Sequence, residues 1–401
     1  VSGFDPERLD RLHEIMSTHV SRDTVGGVAW LAAHGDAVRV GLAGTLTRGE
    51  ADPVRRDSIF RIASMTKPVV AVGALLLIEE CRLRLDDPVD DLLPELANRR
   101  VLVDPRGPLD GATIPALRPI TVHDVLTFRL GLGMDFEAPW PQPLLETMRE
   151  LDMGSGAPEP QVPPEPDEWM RRLSTLPLLY QPGERWLYHT GSNVLGVLVA
   201  RASGQPLDAF LRERVLEPLA MVDTGFATAH VDRLGSCYTR HPDSGEPVVY
   251  DAPDGQWVKP PAFPSGGEGL VSTLDDMHAF GRMLLAGGRL PDGARLLSKA
   301  AIETMTTDQI GAGPGVAGPA PDGSQGWGFG VGVQVRRTGL RPVGSYGWDG
   351  GLGTSWANDP AEALVGVVLT TDMFTSAFPP PAVIQDFWTC VYAAAGEARV
   401  D

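Results

Sequence analysis

Strand-like segments at both ends of the chain, with helical pattern between them, predict an α/β protein of the α+β kind. Two further observations shape that expectation. Apolar, β-rich runs fall at 26–43 and again at 328–371, so the sheet is built from both ends of the chain. A length of 401 residues is enough for two domains. The expected sheet domain is discontinuous, 1–75 with 266–401, and flanks a mostly helical domain at 76–265.

Taken in order, Asp5-Pro6 reads as an N-cap followed by proline at the first helical position. Leu9, Leu12, Ile15, Met16 and Val20 continue with helical period. Residues 26–33 and 37–43 read as strands around a His34-Gly35-Asp36 turn. Residues 58–63 lead into a helix that begins at Ser64 and ends near Cys81. Pro68 falls in its first turn, where a missing N–H is no loss. From Leu83 to about Leu219 the pattern is helical with polar breaks. Within it lies a Pro-rich loop, 134–166, with Phe136, Trp140 and Trp169 in or beside it; a loop of that length is usually functional or disordered. A second Gly/Pro-rich loop spans 306–326. Strands are expected at 328–335, 342–347, 354–357 and 364–371, and a closing helix at 382–395.

A net charge of −18 argues against nucleic acid and anionic membrane as partners. The longest apolar run, 69–78, ends at Glu79 and is too short to span a bilayer. Cys81, Cys237 and Cys390 lie far apart without a C-x-x-C, and the eight histidines show no His-Glu-x-x-His spacing, so neither a disulfide framework nor a metal centre is expected. No signal peptide opens the sequence, which points to the cytoplasm; a leader already removed would make the protein secreted or periplasmic.

Only three of the 34 Lys+Arg residues are lysines: Lys67, Lys259 and Lys299. Arginine stays charged, whereas a buried lysine can give up its proton. Lys67 follows Ser64 by three residues, so on a helix Oγ and Nζ share a face. A neutral amine there can take the hydroxyl proton and make a nucleophile. Tyr188, between the turn 182–185 and the apolar run 194–200, is a candidate proton shuttle; beside a lysine ammonium its phenolate is expected to be stabilised. The Gly-rich segment 346–353 is the third element, where glycines let a ligand or another backbone approach. A Gly-x-Ser-x-Gly elbow is missing; its nearest likeness, around Ser355, ends in Ala357 and continues as a strand.

In this order the elements resemble the serine β-lactamase and penicillin-recognising superfamily. Within it they are most similar to the class C β-lactamase-like branch with its family VIII carboxylesterases. The likeness rests on Phe60-Arg-Ile-Ala-Ser64-Met-Thr-Lys67-Pro68, Leu83-Arg-Leu-Asp-Asp-Pro-Val89, Ile120-Thr-Val-His-Asp-Val-Leu-Thr127, Gly131-Leu132, Tyr188 with Val194-Leu-Gly196, Ser203-Gly-Gln-Pro-Leu207, Glu217-Pro-Leu219 and Gly267-Glu-Gly-Leu-Val-Ser-Thr273. It implies an antiparallel sheet flanked by helices, with an inserted helical domain. It also implies Ser64 as nucleophile, Lys67 as its activator and Tyr188 as the group that carries the proton to the leaving group. The oxyanion hole would be the backbone N–H groups of Ser64 and Gly351. No cofactor is implied, and the partner is a small-molecule ester or amide.

Two departures bear on substrate. The superfamily's β-lactamases carry asparagine two residues after the tyrosine; here Thr190 stands there, and Asn193 lies further on. Their third element is Lys-Thr-Gly, which holds a substrate carboxylate; here it is Trp348-Asp349-Gly350. An Asp349 carboxylate facing such a substrate at about 5 Å would repel it by roughly 3 kcal/mol at an effective dielectric near 20. Trp-x-Gly is instead what the esterase branch shows. Trp348, Trp186, Phe136 and Trp140 are expected to line an apolar pocket, with His189 beside Tyr188 in the same site. The expected activity is therefore ester hydrolysis through an acyl-enzyme. An acyltransferase, a β-lactamase, a D-aminopeptidase or another amidase would use the same machinery. A non-catalytic binding protein would have no need of Ser64, Lys67 and Tyr188 together.

Overall fold

The computed structural model describes residues 3–395 apart from 314 and 377. Seven strands form one antiparallel sheet in the order Ala37–Gly44, Gly27–His34, Leu364–Thr370, Thr354–Asp359, Tyr346–Gly350, Gly332–Gln334, Gln325–Trp327. The N-terminal hairpin joins the C-terminal meander where Val28 faces Thr370 and His34 faces Leu364. Leu364–Thr370 is buried at every position, because helices cover both faces of the sheet there.

On the outer face, helices Pro6–Ser21 and Ala382–Ala394 pack together over the central strands through Leu12, Met16, Val368, Phe387 and Trp388. The first begins as its sequence requires: Asp5 accepts from the Glu7 and Arg8 N–H groups, and Pro6 occupies the first turn. On the inner face lie helix Leu274–Leu285, capped by Thr273, and beyond it helix Thr66–Glu79. Every residue from Thr66 to Leu77 is buried, so this helix is apolar on all sides. Its leucines contribute about 1.5–3 kcal/mol each by leaving water. It packs against helix Thr190–Ser203, which carries the second half of the site.

The short strand Phe60–Arg61 delivers the chain to Ser64 and pairs with Val271–Ser272. Arg61 anchors it. Its guanidinium donates to Asp251 Oδ2 from Nε (2.8 Å) and Nη2 (2.5 Å), and to the carbonyls of Gly235 and Ala252. It also lies over the Trp257 ring. Both charges are buried, so removing either partner alone costs about 3–5 kcal/mol.

The structure differs from the expected elements in four places, one of them the strand expected at 342–347, which runs Tyr346–Gly350. Between Leu83 and Leu219 the helices Val122–Leu126, Pro143–Glu150, Pro166–Ser174 and Leu207–Leu211 are short, Thr190–Ser203 is longer, and a two-stranded sheet, Arg100–Leu102 with Thr113–Pro115, lies among them. The Pro-rich stretch 134–166 is not one loop, since it contains Pro143–Glu150 with proline in its first turn, where proline suits a helix. The expected strand 328–335 is two strands, Gln325–Trp327 and Gly332–Gln334, with a turn at Gly330 (φ 73°) between them.

Candidate active site

Ser64 sits in a single turn of 3-10 helix, Ala63–Met65, that runs into Thr66–Glu79. The residue before it, Ala63, has φ 43°, a left-handed conformation costing about 1–3 kcal/mol in a non-glycine. Lys67 lies one turn on, 1% exposed, with Nζ 2.9 Å from Ser64 Oγ and 2.7 Å from the Gly267 carbonyl. Burial strips water from the ammonium and pushes Lys67 down to about 7; Glu268 opposes the shift.

Tyr188 ends the stretch before helix Thr190–Ser203, and His189, with φ 80°, turns the chain into that helix. The phenol is set in aromatics. Trp186 stacks on it at 5.6 Å between centroids, and Phe136, Phe128 and Trp348 lie 5.1, 6.0 and 5.6 Å away. Lys67 Nζ is 4.6 Å from its ring centroid. The Trp348 indole N–H donates to its oxygen at 2.7 Å. A stabilised phenolate is not what results. Burial raises the phenol well above its usual value, although Ser64 and Trp348 act in the other direction, so Tyr188 is a neutral donor at neutral pH.

Ser64, Tyr188, His189, Trp348, Asp349 and Gly351 border one cavity of about 740 Å³. Its apolar wall includes Met134, Phe136, Leu145, Met148 and Phe374. Gly350 makes the approach to Ser64 possible: a Cβ there would lie 2.3 Å from the Ile62 carbonyl oxygen.

Two expected pocket residues, Trp186 and Trp140, stand elsewhere, and a third, Asp349, turns its side chain away. Trp186 is buried behind Tyr188, between Phe128 and Trp327, and supports the phenol rather than lining the cavity. Trp140 is 62% exposed and does not border the cavity; it was singled out only for lying in the Pro-rich stretch. Asp349 borders the cavity, but strand alternation turns its side chain to the face opposite Trp348. There Oδ1 accepts from Ser355 Oγ at 2.5 Å, and Ser355 Oγ accepts from the Trp388 indole at 2.9 Å. Burial pushes the Asp349 carboxyl up. The side chain thus points to the far layer of the sheet, while its charge still acts on Tyr188. The same bonds bury Ser355 completely.

Two functional groups had gone unassigned in the sequence. The Gly267 carbonyl holds Lys67, and Glu268 reaches the site with its Oε2 3.5 Å from His189 Nε2. A signal existed: Glu268 is a lone charge within Gly266-Gly267-Glu268-Gly269. Burial raises the Glu268 carboxyl to about 7. Thr190 is buried at the cavity edge, while Asn193 bonds Ser265 and reaches His189 rather than Lys67. Among the described residues no group of acidic, histidine or cysteine side chains is arranged to hold a metal, and no helix is long and apolar enough to cross a membrane.

Comparison with known proteins gives the family. The Beta-lactamase family model matches residues 12–385. Protein Rv1367c of Mycobacterium tuberculosis is 41% identical over 259 residues, which is 64% of this chain and 61% of that protein, so the match spans less than two thirds of that relative. Esterase EstB of Burkholderia gladioli is 35% identical over 330 residues, 77% of this chain and 75% of its own. Among solved structures, EstCE1, a hydrolase with promiscuous acyltransferase activity, superposes with a TM-score of 0.78 at 25% identity over 96% of this chain and 99% of its own. With its sheet, its Ser64–Lys67 turn and these relatives in agreement, the chain belongs to the beta-lactamase family, in the branch that contains its esterases.

Proposed function

We propose that this chain is a serine hydrolase that cleaves carboxylic esters through an acyl-enzyme on Ser64, in the manner of the family VIII carboxylesterases. One observation carries the reading: a buried Lys67 amine, lowered toward neutrality, 2.9 Å from Ser64 Oγ. Neutral Lys67 takes the hydroxyl proton as Oγ bonds to the acyl carbon. Tyr188 gives its proton to the departing alkoxide and regains one from the Lys67 ammonium beside it. The Ser64 and Gly351 N–H groups receive the oxyanion. Water then repeats the sequence on the acyl-enzyme. Trp348 fixes the phenol through its indole N–H. The apolar wall of Phe136, Leu145 and Met148 supports an uncharged acyl or alcohol group as substrate.

A second reading is acyl transfer to an alcohol or amine. It is supported by a 740 Å³ cavity, which has room for an acceptor beside a short acyl group, and by the double activity that the name of EstCE1 records.

The test is a chain-length series of p-nitrophenyl esters, run beside nitrocefin and a fluorophosphonate label. Wild type should hydrolyse short esters far better than nitrocefin and take the label. Ser64→Ala should lose the label and at least about a thousandfold in kcat/KM. Ester hydrolysis within a few-fold of wild type in Ser64→Ala would sink the assignment. Product ester formed on adding an alcohol would favour acyl transfer.

A further inference from the structure

We propose that His189, held by Glu268, is a positioning residue that aims the Lys67 lone pair at Ser64. The inference rests on the reading of Lys67 as the base that activates Ser64.

Nζ of Lys67 has three polar neighbours: the Gly267 carbonyl at 2.7 Å, Ser64 Oγ at 2.9 Å and His189 Nδ1 at 3.3 Å. A neutral amine has two N–H bonds and one lone pair. The carbonyl can only accept, so it takes one N–H. The state of His189 Nδ1 decides the rest. A bare Nδ1 accepts the second N–H, and the lone pair falls to the Ser64 hydroxyl. A protonated Nδ1 claims the lone pair itself, and Ser64 then receives an N–H and cannot deliver its proton.

The tautomer is set at the other ring nitrogen. Nε2 has the Glu268 carboxylate at 3.5 Å and the Asn193 amide nitrogen at 3.3 Å. Asn193 is fixed in orientation. Ser265 Oγ accepts from the Gly267 N–H at 3.2 Å and donates to Asn193 Oδ1 at 2.7 Å, which turns the Asn193 NH₂ toward His189. Asn193 thus favours a bare Nε2, the unproductive tautomer. Glu268, 3.5 Å from Nε2, favours a hydrogen there, the productive tautomer, once its raised carboxyl is ionised above about pH 7. In a buried site the full charge outweighs the amide dipole. His189 is itself kept neutral by burial and by Lys67. Gly267 permits the packing, because a Cβ there would lie 2.9 Å from the imidazole Cε1.

Glu268 faces Lys67 and His189, with Glu159 acting on it from the Pro-rich stretch; Tyr188 and Tyr250 also feel its charge. Its anion stabilises the Lys67 ammonium. Removing that anion therefore moves the rising limb of the pH–rate profile to lower pH. A less basic amine also abstracts the proton more slowly, so part of any fall in the plateau comes from the lost charge, and the aim of the lone pair is read from the double variant.

The experiment measures the rate of Ser64 labelling by a fluorophosphonate across pH in wild type, Glu268→Gln, His189→Asn, His189→Ala and the double variant His189→Asn/Glu268→Gln. Asparagine suits a positive φ and offers Oδ1 where Nδ1 stood. Glu268→Gln should lower the plateau about tenfold and move the limb to lower pH. His189→Ala should lose more than His189→Asn. Adding Glu268→Gln to His189→Asn should cost less than about threefold further, because the path through the ring is already gone. Should Glu268→Gln fold poorly, Glu268→Asp keeps the charge but shortens its reach, and should lower the plateau with little movement of the limb. A limb shift with an unchanged or higher plateau overturns the proposal, as does an equal cost of Glu268→Gln in both backgrounds. Failure of wild type to label at Ser64 overturns the reading of the base itself, which keeps the two failures apart.

Discussion

The two sides of the cavity are built on opposite plans. Around Ser64, polar atoms are buried and partnered: Lys67 with Ser64, Gly267 and His189, and Tyr188 with Trp348. Across from them, Phe136, Leu145, Met148 and Phe374 offer apolar surface from loops and one short helix. The first side sits on a fully buried helix and a sheet strand, where each group's position is over-determined. The second tolerates change, because apolar contact has no direction. On the proposed function, the chemistry would be held by hydrogen bonds and packing together, and substrate choice by packing alone.

The sharpest way to break this contrast is at Lys67. Lys67→Arg should lose about a thousandfold in kcat, nearly as much as Lys67→Ala, because a guanidinium cannot give up its proton at neutral pH. Steady-state kinetics on p-nitrophenyl acetate decide it, and retention of most of kcat would mean that only a fixed charge is needed.

Proton chemistry on the partnered side should also read out in pH. With the lysine near 7, its neutral fraction falls tenfold per unit below that point. Acylation should therefore drop about fiftyfold from pH 7 to pH 5, while the raised phenol of Tyr188 postpones any alkaline loss. A profile flat across that interval would exclude Lys67 as the titrating base.

The sequence showed the partnered side only in part. Ser64 and Lys67 were legible because both lie within one helical turn, where spacing alone fixes proximity. Tyr188 was picked out by its family-like phrase, and the structure sets its ring 4.6 Å from Lys67 Nζ. Glu268 was not, since its partner His189 lies 79 positions earlier and only the tertiary fold brings them together. The face that Asp349 takes was not legible from its identity, because one step along a strand reverses a side chain. The outer elements were read well, down to the Asp5 cap, because capping is local. The region 83–219 was read poorly because its short helices are held by packing rather than by their own periodicity.

Trp348 joins the two sides, bordering the cavity with its ring and holding Tyr188 with its N–H. Trp348→Phe should keep the apolar wall and lose the bond, lowering kcat about tenfold with KM little changed, as expected for one buried hydrogen bond of about 1–2 kcal/mol. If KM rises instead and kcat holds, the ring matters and the bond does not.

The smallest effect is expected on the apolar side. Phe136→Ala should change kcat/KM for acetate by only a few-fold while moving the preferred acyl chain to longer esters. An equal loss across the whole chain-length series would show that Phe136 serves Tyr188, which it also touches, rather than the substrate.

Gly350 has a bearing on how such a site can diverge. Its backbone lies so near the Ile62 carbonyl that no side chain fits, and Asp349 is tied to the far layer of the sheet through Ser355 and Trp388. Of the three residues in this element, two are bound into the architecture and only position 348 presents a side chain toward Tyr188. A lineage that changes its substrate through this strand thus has one position to vary, and each variant also alters how the phenol is held. If the proposed roles hold, specificity and rate are inherited together at that residue, and selection on one drags the other with it.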